Sequence, residues 1–97
     1  MTKQEATQCL SERLDEMRRR FGVQRLALFG SVVRDQMDDT SDIDVLVAFS
    51  GKPTFDAFMD LKFYLEDLLG TPVDLVNDSA LRPQVRRAIE GELVDVA

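Results

Sequence analysis

Apolar positions recur at steps of three and four residues at the start of the chain, then give way to short continuous runs. Ala6, Leu10, Leu14, Met17 and Phe21 share one stripe, which predicts a single amphipathic helix. Thr2-Lys3-Gln4-Glu5 has capping-box spacing, so that helix is expected to begin at Lys3. Arg18-Arg19-Arg20 fall in its last turn, where cations suit the helix dipole, and Gly22 offers a stop. The triple Arg reads as a charged helix end rather than a contact for phosphate or RNA.

A first strand is expected over Gln24 to Phe29, where Leu26-Ala27-Leu28-Phe29 is the kind of run found in a strand covered on both faces. Gly30-Ser31 ends it, Val32 to Arg34 read as a short helix, and Asp35 to Ser41 as a polar loop. Asp42 to Phe49 is the second strand, closed by the breaker cluster Ser50-Gly51-Lys52-Pro53. Thr54 caps a helix from Phe55 to Leu69, with Gly70 after it. Phe58, Leu61, Leu65 and Leu68 form its inward stripe, while Phe55, Met59 and Phe63 widen the apolar arc into either extra core or a docking surface. Pro72 to Asn77 is a third strand, Pro83 opens a helix to about Glu90, and Leu93 to Val96 could add a short edge strand. Strands alternating with helices give an α/β sandwich around a small sheet, with strand order and direction left open.

The chain has 97 residues, which fits one domain over 1–97. No apolar run approaches the roughly 20 residues of a membrane span, and the N-terminus lacks a signal-peptide core, so a cytoplasmic location is expected. One cysteine, Cys9, excludes an intrachain disulfide. The chain has no histidine, which removes Ser-His-Asp triads, Cys-His pairs and His-bearing zinc sites. A bound metal would therefore be held by oxygen, which favours Mg²⁺ or Mn²⁺. A net charge of −6 argues against generic nucleic-acid binding.

The chemistry concentrates between Phe29 and Val47. Asp42 and Asp44 lie two apart on one strand, so their carboxylates share a face about 7 Å apart along it. Asp74 is a third acid in an otherwise apolar strand and is expected to need a partner there. If the third strand lies beside the second, the three acids can hold two Mg²⁺ ions, and Asp74 can take a nucleophile's proton. Gly30 lets backbone approach a phosphate without a Cβ in the way. Ser31 offers a hydroxyl and an N–H to phosphate oxygens, and Arg34, one turn on, can pair with phosphate or with the acids.

Phe29-Gly30-Ser31-x-x-Arg34 followed by Ser41-Asp42-Ile43-Asp44 resembles the signature of the polymerase-β-like nucleotidyltransferase superfamily, and within it the minimal nucleotidyltransferase (MNT) branch. The likeness runs over nearly the whole chain. It implies a small mixed sheet flanked by helices. It also implies nucleotide binding by Gly30, Ser31 and Arg34, two metal ions on Asp42 and Asp44, and Asp74 as third ligand and base-side acid. The implied reaction places AMP from ATP on a hydroxyl and releases pyrophosphate. Asp35 stands where the family usually has Gly, and it is expected to restrict the backbone and add negative charge near the triphosphate.

The chain leaves no length for a second domain to hold an acceptor. The resemblance implies that the acceptor comes on a partner: small MNT proteins pair as antitoxins with HEPN-type RNase toxins, and some transfer AMP to a toxin tyrosine. Two other readings stay open: a non-catalytic antitoxin that neutralises its partner by occlusion, and a small-molecule, aminoglycoside-type nucleotidyltransferase whose acceptor cleft is built by a homodimer.

Overall fold

The computed structural model describes residues 1–38 and 41–96. The capping box forms: the Thr2 side chain accepts from the Glu5 N–H at 3.1 Å, and Glu5 accepts from the Thr2 N–H at 3.0 Å. The helix it starts is shorter than expected. Instead of one helix there are two, α1 (Lys3–Ser11) and α2 (Leu14–Phe21). Arg13 leaves helical backbone (φ −111°, ψ 5°), and its N–H reaches back only three residues, to the Leu10 carbonyl at 3.1 Å. The tightened turn still leaves Ala6, Leu10, Leu14 and Met17 buried together.

After Gly22 come β1 (Val23–Phe29), a single 3₁₀ turn (Gly30–Val32), β2 (Ile43–Phe49), α3 (Phe55–Leu69), β3 (Val73–Asn77), a second 3₁₀ turn (Asp78–Ala80), α4 (Pro83–Glu90) and β4 (Val94–Asp95). The 3₁₀ turn replaces the short helix expected over 32–34. Part of the polar loop expected over 35–41, namely 39–40, lies outside the described residues. The sheet order is β3-β2-β1-β4, with β2 and β3 parallel and both β1 pairings antiparallel. It is a small mixed sheet, as the resemblance implies.

Side-chain alternation assigns the two faces of this sheet. Leu26 and Leu28 of β1, Ile43, Val45 and Val47 of β2, and Val73 and Leu75 of β3 join the helices in one buried cluster. Their alternates, among them Ala27, Asp44, Leu46 and Asp74, point to the other face. On α3 the inward stripe is Leu61, Leu65 and Leu69, so Leu69 takes the buried place expected for Leu68. Phe58 and Leu68 are partly buried against the cluster. Phe55 and Phe63 remain 76% and 52% exposed, so the wide arc of α3 is only partly core. Arg18, Arg19 and Arg20 are exposed at the end of α2, and the Arg20 guanidinium lies over Phe21 and Tyr64. α4 contributes no buried residue.

The Leu61 side chain is fully enclosed. Leu61→Ala is expected to cost about 2–5 kcal/mol of unfolding free energy. Phe55→Ala, on the same helix but exposed, should stay within about 0.5 kcal/mol of the parent. Urea unfolding followed by circular dichroism checks both.

Candidate active site

The Gly-Ser turn and the acids meet at one end of the sheet. β1 runs antiparallel to β2 with Phe29 opposite Asp44, so Gly30 emerges beside the Asp44 carboxylate. The approach admits no side chain. A Cβ built on Gly30 would lie 2.1 Å from Asp44 Oδ2, and Gly30 has φ +75°. This is a stricter reason for glycine than access by a phosphate: the acid itself fills the space.

β2 and β3 run parallel with Asp44 paired to Asp74. Register partners on neighbouring strands point the same way, so the two carboxyls adjoin on the face turned away from the helices. Asp74 was expected to be buried in its strand; it is exposed, because alternation sends Val73 and Leu75 inward and Asp74 out. Asp42 is exposed just before β2. Burial pushes the Asp44 carboxyl up to about 6; the charge of Asp74, a hydrogen bond with it and the charge of Asp42 add to the rise, and Arg34 opposes it. No group of three acids among the described residues is gathered tightly enough to hold one metal ion as the side chains lie. The donor set nevertheless fits a hard divalent cation. It is all carboxylate oxygen, and Asp44 and Asp74 repel each other in a way that such a cation relieves.

The turn itself is a single 3₁₀ turn, too short for a helix dipole of any size, so anion binding there rests on individual donors. Ser31 is half-buried, and no hydrogen bond among the described residues engages its hydroxyl. Arg34 does not reach the acids. Its Nη1 donates to Glu92 Oε2 at 2.6 Å, and its Nε donates to Gln36 at 3.2 Å. Glu92 Oε1 accepts the Gly30 N–H at 3.0 Å. Little in the sequence marks Glu92. Its only signal is an acid between the end of a helix and an edge strand, and only the fold brings it across the sheet to Gly30.

Asp35 behaves differently from expectation. It adopts φ +52°, the left-handed region that Gly would enter freely and Asp tolerates. Its Oδ1 accepts the Lys3 N–H at 3.0 Å, so its charge is directed at the N-terminus of α1.

A mixed sheet carrying an acid pair beside a Gly-Ser turn is the arrangement of a nucleotidyltransferase. The Nucleotidyltransferase domain family model matches residues 10–96, and the chain belongs to that family. It is 40% identical over 96 residues to a protein adenylyltransferase, MntA, of Thermococcus cleftensis, covering 99% of this chain and 97% of the relative. It is 34% identical over 98 residues to a Methanocaldococcus jannaschii protein named as a candidate protein adenylyltransferase, covering 98% of each. A solved structure described as a minimal nucleotidyltransferase superposes with a TM-score of 0.80 at 35% identity, covering 97% of this chain and 95% of that one. A toxin–antitoxin complex solved with AMP-PNP shares the fold, with a TM-score of 0.74 at 21% identity, covering 90% of this chain and 72% of that one. The protein is a nucleotidyltransferase.

The raised Asp44 carboxyl has a signed consequence for stability. A group whose carboxyl rises on folding from 3.8 to about 6 favours the folded state when protonated, fully below pH 3.8, and that contribution is lost as pH rises through 6. Asp44→Asn carries no charge at any pH. In chelator, its melting temperature should therefore match the parent near pH 4 and exceed it above pH 7, as differential scanning fluorimetry across that range would show.

Proposed function

We propose that the protein transfers AMP from ATP to a hydroxyl on a partner protein and acts as the antitoxin of a HEPN-type toxin, with a toxin tyrosine as acceptor. The observation that carries the reading is the Asp44–Asp74 register pair with Gly30 pressed against Asp44. The name of the Thermococcus cleftensis relative supports adenylyl transfer to protein. The family resemblance supports the toxin partner, and Phe55 and Phe63 supply an exposed apolar face on α3 for docking.

In this reading Asp42, Asp44 and Asp74 hold Mg²⁺ (Mn²⁺ as substitute), which when bound neutralises triphosphate charge and lowers the pKa of the attacking hydroxyl. Gly30, Ser31 and Arg34 hold the triphosphate. Ser31 gives its hydroxyl and N–H, Arg34 gives a planar pair of donors, and Gly30 keeps the backbone thin enough for the acid and the anion to lie side by side. Asp74, the more exposed partner of the pair, accepts the proton of the acceptor hydroxyl. Positioning supplies most of the rate, since phosphoryl chemistry asks little covalent work of the protein.

The occlusion reading gains one observation: no group of three acids among the described residues is gathered as a metal site. One experiment separates the two. The protein is mixed with its HEPN partner, α-labelled ATP and Mg²⁺, beside an Asp42→Asn/Asp44→Asn double variant. Transfer predicts label on the partner from the parent and at least about 100-fold less from the variant, with protection of cells lost in parallel. An unlabelled partner, with protection retained by the variant, would establish occlusion instead.

A further inference from the structure

The contact between Glu92 and the Gly-Ser turn has no place in the chemistry above. Glu92 lies in the turn after α4, where its N–H donates to the Ile89 carbonyl at 3.0 Å. From there the chain enters β4, which is fastened to β1 by the Ala27–Asp95 and Leu28–Val94 pairing. The Val96 N–H bond to Leu26 (2.9 Å) and the Arg25–Asp95 ion pair (2.7 Å) fasten it further. The Glu92 carboxylate is thereby delivered to the two groups a phosphate would seek. One oxygen takes the Gly30 N–H and the other takes Arg34 Nη1.

We propose that Glu92 is a resident anion in the triphosphate donor set, a carboxylate that the phosphates of the nucleotide must displace and that thereby sets nucleotide affinity. The inference rests on the reading of Gly30, Ser31 and Arg34 as triphosphate donors. Competition is direct, because the Gly30 N–H has one hydrogen and a phosphate oxygen that takes it must evict Oε1. The contact is also weak enough to yield. The Arg34 side chain is 49% exposed and Glu92 27%, and ion pairs this well hydrated contribute little net stability. A triphosphate brings more charge than one carboxylate and leaves Arg34 paired throughout, so the exchange strands no cation. Meanwhile Glu92 keeps Arg34 engaged away from Asp44 and Asp74, leaving those acids for a cation.

The test is calorimetric titration of inorganic tripolyphosphate, and separately of ATP, each with Mg²⁺, into the parent, Glu92→Gln and Glu92→Ala. Gln keeps an acceptor for Gly30 but loses the charge on Arg34, so it guards against a folding defect in the Ala variant. Both variants are expected to bind tighter than the parent, Glu92→Ala by about two- to fivefold and Glu92→Gln by less. In ¹⁵N spectra, the Gly30 amide of the parent should shift as tripolyphosphate binds, and a Gly30 amide that stays in place while the parent binds would overturn the displacement of Glu92. Equal or weaker binding by folded variants, with the parent binding normally, would overturn the role of Glu92 and leave the triphosphate site standing. Binding by none of the three proteins would overturn the triphosphate site and Glu92's role with it.

Discussion

Two carboxyls are held side by side because β2 and β3 run parallel in a register that pairs Asp44 with Asp74. Burial pushes the Asp44 carboxyl up to about 6, and the charge of Asp74 beside it adds to the rise, so the pair resists joint ionisation. Much of the surrounding structure follows from keeping this pair in place. The residue pressed against Asp44 is glycine because its φ of +75° strains any L side chain and a Cβ would stand 2.1 Å from the Asp44 oxygen. Arg34, whose charge opposes the rise of Asp44, is engaged by Glu92 instead of pairing with the acids.

The sheet tolerates such a pair because its two faces do different work. Leu26, Leu28, Val45, Val47, Val73 and Leu75 pack against α1, α2 and α3, and that burial holds the strands. The opposite face carries Asp44 and Asp74 and is free to hold charge. A one-residue slip of β3 would turn Asp74 into the core and Val73 and Leu75 out, so the apolar pattern that stabilises the fold also aims the acid. Asp35 shows the same economy: it takes a left-handed position and uses its carboxylate on the N-terminus of α1.

The elements were legible because their signals are local. Thr54 and Gly70 bracket α3, and Pro83 opens α4, through capping and backbone preferences that need no tertiary context. The break at Arg13 was not legible, since no Gly or Pro interrupts the stripe from Ala6 to Phe21. Of the site, the spacing of Asp42 and Asp44 and the Gly-Ser turn could be read directly. The partnership of Asp44 with Asp74 depended on strand order, which alternation does not encode. Glu92 was invisible for the same reason: 62 residues separate it from the Gly30 N–H it meets.

The claim at the centre is that the Asp44–Asp74 pair binds a divalent cation beside the Gly-Ser turn. Paramagnetic broadening of ¹⁵N-labelled protein by substoichiometric Mn²⁺ tests it most directly. Loss of signal centred on the amides of Gly30, Asp44 and Asp74, reversed by excess Mg²⁺, is the expected result. Broadening spread over unrelated surface acids, or none at all, would contradict it.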